Sequence, residues 1–124
     1  MGGRGSFIKE GGFVKKRYHV VDFVNGVKVL EPKDPKSSIS LPERSGTPGT
    51  SYVSYRKDGS FRQFITFDEN RMPRYAIDYG THDGVISLHV HYYKNGNRTD
   101  RIEYLDKEHE LYKRHEKLFK GVKI

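Results

Sequence analysis

Residues 85–93, VISLHVHYY, alternate with the period of an extended chain. Ile86, Leu88, Val90 and Tyr92 fall on one side of such a strand; Ser87, His89, His91 and Tyr93 fall on the other, because successive strand side chains point in opposite directions. A strand of this kind needs a second layer against its apolar side, so the chain must supply a sheet and something to cover it.

The rest of the sequence supplies both. Residues 13–24 and 27–30 are apolar and β-branched and flank Asn25-Gly26, the dipeptide favoured in two-residue hairpin turns. Residues 51–56 and 61–68 flank Lys57-Asp58-Gly59-Ser60, and residues 74–79 precede a turn expected over 80–84. After residues 85–93, Lys94-Asn95-Gly96-Asn97 reads as another hairpin turn, with a last strand over 98–105. The period then changes. Asp106 is a suitable N-cap, and Leu111, His115 and Leu118, flanked by Tyr112 and Phe119, recur at helical spacing through 107–120 before Gly121. The expected fold class is α+β: a mostly antiparallel, meandering sheet of roughly four to seven strands. One C-terminal helix should pack on the face carrying Tyr75, Ile77, Tyr79, Ile86, Leu88, Val90 and Tyr92.

The 124 residues fit one domain over 13–124, preceded by a Gly-rich flexible arm at 1–12. Residues 31–50 contain four prolines, two glycines and four serines and read as a long loop, either functional or disordered. No stretch approaches the ~20 apolar residues of a membrane span, and the N-terminus lacks the apolar stretch of a secretory signal. A cytoplasmic location without membrane association is therefore expected. The absence of cysteine excludes disulfides, thiolate metal sites and cysteine nucleophiles. The net charge of +7 attracts polyanions at long range, so RNA is the first partner to consider and an acidic protein surface the second.

Chemistry concentrates in residues 77–93, which hold three of the six histidines. Extending the alternation backwards sends Tyr75, Ile77 and Tyr79 to the core and Arg74, Ala76 and Asp78 to the other face. If these two strands are hairpin neighbours, Arg74 and Asp78 share a face with His89 and His91, and His82 lies in the turn at its end. Residues two apart on a strand face lie about 6.5–7 Å apart. That spacing suits two imidazoles acting on one phosphodiester: one removes the 2′-hydroxyl proton and the other protonates the leaving oxygen. Arg74 would stabilise the phosphorane, and Asp78 would orient one ring. No cofactor or metal is then needed. The same pattern admits a metal site built from His89 and His91 with His82 or Asp78 as third ligand. It also admits a solvated sheet face with no chemistry at all. The basic pairs in Lys15-Lys16-Arg17 and Lys113-Arg114, together with Tyr93, are candidates for holding a nucleic-acid backbone or base. His115 reads as a core or rim residue, and His109 as a cap.

Two features meet here. The chain begins Met1-Gly2-Gly3-Arg4-Gly5-Ser6. It later reads Phe67-Asp68-Glu69-Asn70, Ile77-Asp78, His82-Asp83-Gly84 and His89-Val90-His91-Tyr92. The series resembles small phage- and prophage-borne proteins of Gram-positive bacteria that open with Gly-Gly-Arg-Gly and look like members of the barnase–EndoU–colicin–RelE group of toxin-type RNases. The resemblance implies a metal-independent RNase in the cytoplasm of a bacterial host, with Asp78, His82, His89 and His91 at its matching positions. It departs from that group at residues 13–30, which read as a hairpin where those nucleases usually place a helix. The competing expectation is a non-catalytic phage accessory protein that binds a host defence protein or its guide RNA. The nuclease is preferred because two histidines, an aspartate and an arginine fall on one expected face.

Overall fold

Three Xaa-Gly pairs set the sheet. Asn25-Gly26, Asp83-Gly84 and Asn95-Gly96 each place both residues at positive φ: 51° and 81°, 51° and 80°, 53° and 82°. This is the type I′ geometry, whose twist matches that of the strands it joins. The computed structural model describes residues 18–34, 41–45 and 47–123, and only the backbone of His82. The three turns join β1 (Tyr18–Val24) to β2 (Val27–Pro32), β5 (Pro73–His82) to β6 (Val85–Lys94), and β6 to β7 (Asn97–Tyr104). Between β3 (Ser51–Tyr55) and β4 (Phe61–Phe67) the chain turns through Gly59 at φ 89°. There the Arg56 N–H donates to the Ser60 carbonyl at 2.8 Å.

The strands form one seven-stranded sheet in chain order, β1 to β7. All neighbours are antiparallel except β2 and β3, which run parallel with Lys28 opposite Tyr52 and Val29 opposite Val53. Parallel neighbours cannot be joined by a tight turn. The chain between Pro32 and Ser51 is therefore a crossover rather than a hairpin.

One face carries the expected core. Val53, Phe61, Phe64, Tyr75, Ile77, Leu88 and Val90 pack with Leu111, Leu118 and Phe119 from the C-terminal segment. The helix is shorter than its periodicity suggests: α1 spans Glu110–His115 and tightens into a 3₁₀ turn over Glu116–Leu118. Asp106 does not cap it. Its carboxylate accepts from the Glu108 and His109 N–H groups, at 2.9 and 3.1 Å, and closes a turn ahead of the helix. His109 is the N-cap, with its Nδ1 accepting from the Leu111 N–H at 3.1 Å. At the other end, tertiary bonds draw the carbonyls away from helical geometry: the Tyr55 hydroxyl donates to the Leu118 carbonyl at 2.9 Å, and the Phe61 N–H to that of Lys120 at 2.7 Å.

Three expectations about the sheet change. β5 runs on to His82, so the turn is the Asp83-Gly84 pair alone rather than residues 80–84. Ile86 is 69% exposed, because the β5–β6 hairpin extends past the short helix that was to cover it. The opposite face is not an open, solvated one. Tyr18, Leu30, Leu41, Tyr52, Ile65, Phe67 and Ala76 form a second buried cluster there. Residues 41–45 of the crossover are packed across it, fixed by the Leu41 N–H to Gln63 Oε1 at 2.8 Å and by Ser45 Oγ against the Tyr52 hydroxyl at 3.3 Å. The sheet thus has a core on each side, and the histidines of β6 belong to the second. The expected arm at 1–12 and residues 35–40 and 46 of the expected loop lie outside the described residues.

Candidate functional site

The register of β5 on β6 places Asp78 opposite His89 and Ala76 opposite His91. All three polar side chains point to the face away from α1, as the alternation requires. His91 Nε2 lies 3.2 Å from Asp78 Oδ2. The His89 and His91 rings meet edge to face with centroids 5.0 Å apart. His89 Nδ1 lies 3.3 Å from the Ser87 carbonyl oxygen. The carbonyl can only accept, whereas the Ser87 hydroxyl, 3.4 Å from the same nitrogen, can donate, so the tautomer follows from which of the two Nδ1 engages. One ligand atom each from Asp78, His89 and His91 can be chosen so that all lie within 4.8 Å of one another. Both histidines are buried, at 4% and 8% exposure. Asp78 Oδ1 is buried without a hydrogen-bond partner, a cost of about 1–3 kcal/mol or more for a charged group.

The arginine at this cluster is not the expected one. The Arg74 guanidinium lies over the Tyr75 ring, 5.7 Å from its centroid. Instead Arg98, on β7, places Nη2 4.0 Å from Asp78 Oδ2 and Nε 3.5 Å from Glu43 Oε2. Its Nε also donates to the Tyr93 hydroxyl at 3.0 Å, and that hydroxyl donates in turn to Glu43. Burial, with the Glu43 acceptor adding to it, pushes the Tyr93 hydroxyl up to about 12, so it remains a donor at neutral pH. Arg98 was legible in principle. A two-residue Asn95-Gly96 turn dictates that Tyr93 faces Arg98 across the hairpin, which sets an arginine on the histidine face.

Beside the cluster a cleft of about 390 Å³ is lined by Glu43, Gln63, Ile65, Tyr93, Asn97 and Arg98 among others. A second cleft of about 600 Å³ shares Glu43, Gly96 and Asn97 with it and continues past Arg44, Asn70 and Arg71. Polar walls with three arginines along them suit an anionic chain better than an apolar ligand.

The other expected residues lie elsewhere. His82 closes β5 opposite Val85, four residues beyond Asp78 and so about 13 Å along the strand. Lys113 and Arg114 sit on α1, across the sheet from the histidines. They are paired with Glu108 at 3.6 Å and Glu110 at 2.8 Å. Lys15, Lys16 and Arg17 lie outside the described residues. His115, read as a core or rim residue, lies partly buried at the rim: its Nε2 is 2.8 Å from the Tyr75 hydroxyl and its ring lies tilted against Phe64 with centroids 4.5 Å apart. Burial pulls it down to about 4, with Arg114 adding to the effect.

Comparison with family models, with curated proteins and with solved structures returned no match to this chain. No helix among the described residues is long and apolar enough to cross a membrane.

Proposed function

We propose that the protein cleaves RNA without a metal, by general acid–base chemistry at Asp78, His89 and His91. The observation that carries this reading is the 3.2 Å contact between Asp78 Oδ2 and His91 Nε2 with His89 packed edge-on beside it. A carboxylate against one imidazole nitrogen holds the ring and its tautomer, so the lone pair of a neutral ring lies on the other nitrogen. In this reading His91 accepts the 2′-hydroxyl proton. His89, protonated on both nitrogens, gives its proton to the leaving 5′-oxygen. Arg98, which replaces Arg74 in this role, faces the charge that develops on the phosphate. The arginine-lined clefts and the net charge of +7 support an RNA substrate. The likeness to toxin-type RNases rests on the short motifs quoted above alone.

The test is incubation of the purified chain with total and transfer RNA, with and without EDTA, beside a His89→Ala/His91→Ala variant. EDTA-resistant cleavage ending in cyclic phosphates and lost in the variant is the expected result; unchanged cleavage in the variant sinks the reading. One observation favours a second reading, a non-catalytic protein that binds a host defence protein or its guide RNA. Both imidazoles are less than a tenth exposed, as suits packed side chains better than groups that must reach a phosphodiester. No cleavage under any condition would favour that reading.

A further inference from the structure

The geometry points to Asp78, His89 and His91 as a binding site for one divalent transition-metal ion, zinc being the natural occupant, whose presence silences the acid–base chemistry proposed above. The consequence rests on that reading; the binding does not. Four-coordinate zinc with bonds of about 2.0–2.1 Å separates its ligand atoms by about 3.3 Å. Asp78 Oδ2 and His91 Nε2 already stand 3.2 Å apart. The whole set of ligand atoms fits within 4.8 Å, so the three side chains are close enough together to supply three ligands to one ion.

Three further observations agree. The Ser87 carbonyl, 3.3 Å from His89 Nδ1, can accept from that nitrogen's N–H, which turns the Nε2 lone pair to the ligand role. A backbone carbonyl or carboxylate behind the imidazole is the usual support for a ligating histidine. Asp78 Oδ1 is buried and makes no hydrogen bond, so a cation beside this carboxylate compensates an oxygen that the protein leaves unmatched. Finally, two nitrogens and one oxygen, with no sulfur in reach because the chain has no cysteine, suit zinc or cobalt rather than magnesium or calcium. Three protein ligands leave one position for water. With Nε2 of each ring bound to the ion, the proton of each neutral ring sits on Nδ1, so His91 cannot accept the 2′-hydroxyl proton, His89 cannot become doubly protonated to give one, and RNA cleavage stops.

The experiment uses the full chain stripped with EDTA and titrated with Co²⁺, read by visible absorption, then with Zn²⁺ in competition. Wild type and the His91→Ala and near-isosteric Asp78→Asn variants are compared, with thermal melts confirming that each is folded. The expected result is one ion per chain with four-coordinate cobalt absorption, zinc displacing cobalt and raising the melting temperature by mass action, and affinity more than about tenfold weaker in Asp78→Asn. Absence of stoichiometric binding in wild type, or wild-type affinity in a folded Asp78→Asn, overturns the site. The same samples are then given RNA. Cleavage that stops with one equivalent of Zn²⁺ and returns with EDTA confirms silencing. Cleavage unaffected by bound zinc, or requiring it, overturns silencing. Metal binding without cleavage in either state keeps the site and overturns the nuclease instead.

Discussion

His115 is the residue whose surroundings most change its chemistry. It lies between Phe64 and the Tyr75 hydroxyl, and burial holds it down to about 4. The unfolded chain titrates near the ordinary histidine value of about 6.5. The folded value is the lower one, so stability is complete above about pH 6.5 and is lost as pH falls towards 4. Glu103 adds a lower window. Hydrogen bonds from Arg101, then His109 and Tyr92, hold its carboxyl down to about 2, so its contribution is present above the ordinary carboxylate range and disappears as pH falls through it. Urea unfolding at pH 7 and pH 4.5 should show the first loss. The His115→Phe variant should flatten it while Glu103→Gln should not. The helical spacing of His115 with Leu111 and Leu118 revealed its burial. Nothing local in the sequence revealed the Tyr75 hydroxyl beside it, because that pairing comes from a strand forty residues away. Arg74 failed as a site residue for a related reason: alternation assigns a face but not a neighbour, and a long side chain can fold back onto an adjacent ring.

The hairpins were the most legible elements, because Asn-Gly and Asp-Gly pairs impose a backbone geometry that few other sequences adopt. The helix was the least legible, because its C-terminal end is set by bonds to β3 and β4 rather than by its own residues. Two glycines at positive φ separate these kinds of constraint. At Gly84 a Cβ would meet nothing within 4 Å, whereas at Gly121 it would lie 2.9 Å from Ser60 Cβ. Gly84→Ala should therefore cost only the left-handed backbone strain, about 1 kcal/mol. Gly121→Ala should cost distinctly more, since the Lys120 carbonyl next to it is tied to β4 at 2.7 Å and cannot yield freely. Chemical denaturation of both variants in parallel measures the difference.

At the scale of the molecule, fold class and strand order could be read in advance, and the second core could not. The crossover sequence looked too polar and too broken to be structural. Yet Leu41, only 5% exposed, sits with Ile65 and Ala76 on the side where an accessible polar patch was expected. Binary patterning along β6 assigned the two faces but not the burial of the second: a histidine counts as polar in a pattern, but paired with Asp78 it can be buried. That burial makes the candidate site depend on the crossover. Substituting Leu41 by Ala should cost about 2–5 kcal/mol and raise the reactivity of His89 and His91 towards diethylpyrocarbonate. Reactivity equal to wild type would show that residues 41–45 do not shield them.

The single parallel joint has a kinetic meaning. Strands β3 to β7 pair in sequence order, so that five of the seven strands can zip together through short loop closures. The β1–β2 hairpin instead reaches its neighbour only after the crossover between Pro32 and Ser51 is ordered, and its parallel register on β3 holds just two residue pairs. Opening should therefore begin along this seam. In native-state hydrogen exchange, the amides of β1 and β2 should become labelled in a separate, earlier unit than those of β4, β5 and β6. The molecule would then behave as a meander with a late-docking hairpin, and the same seam would be the first path by which solvent reaches the second core.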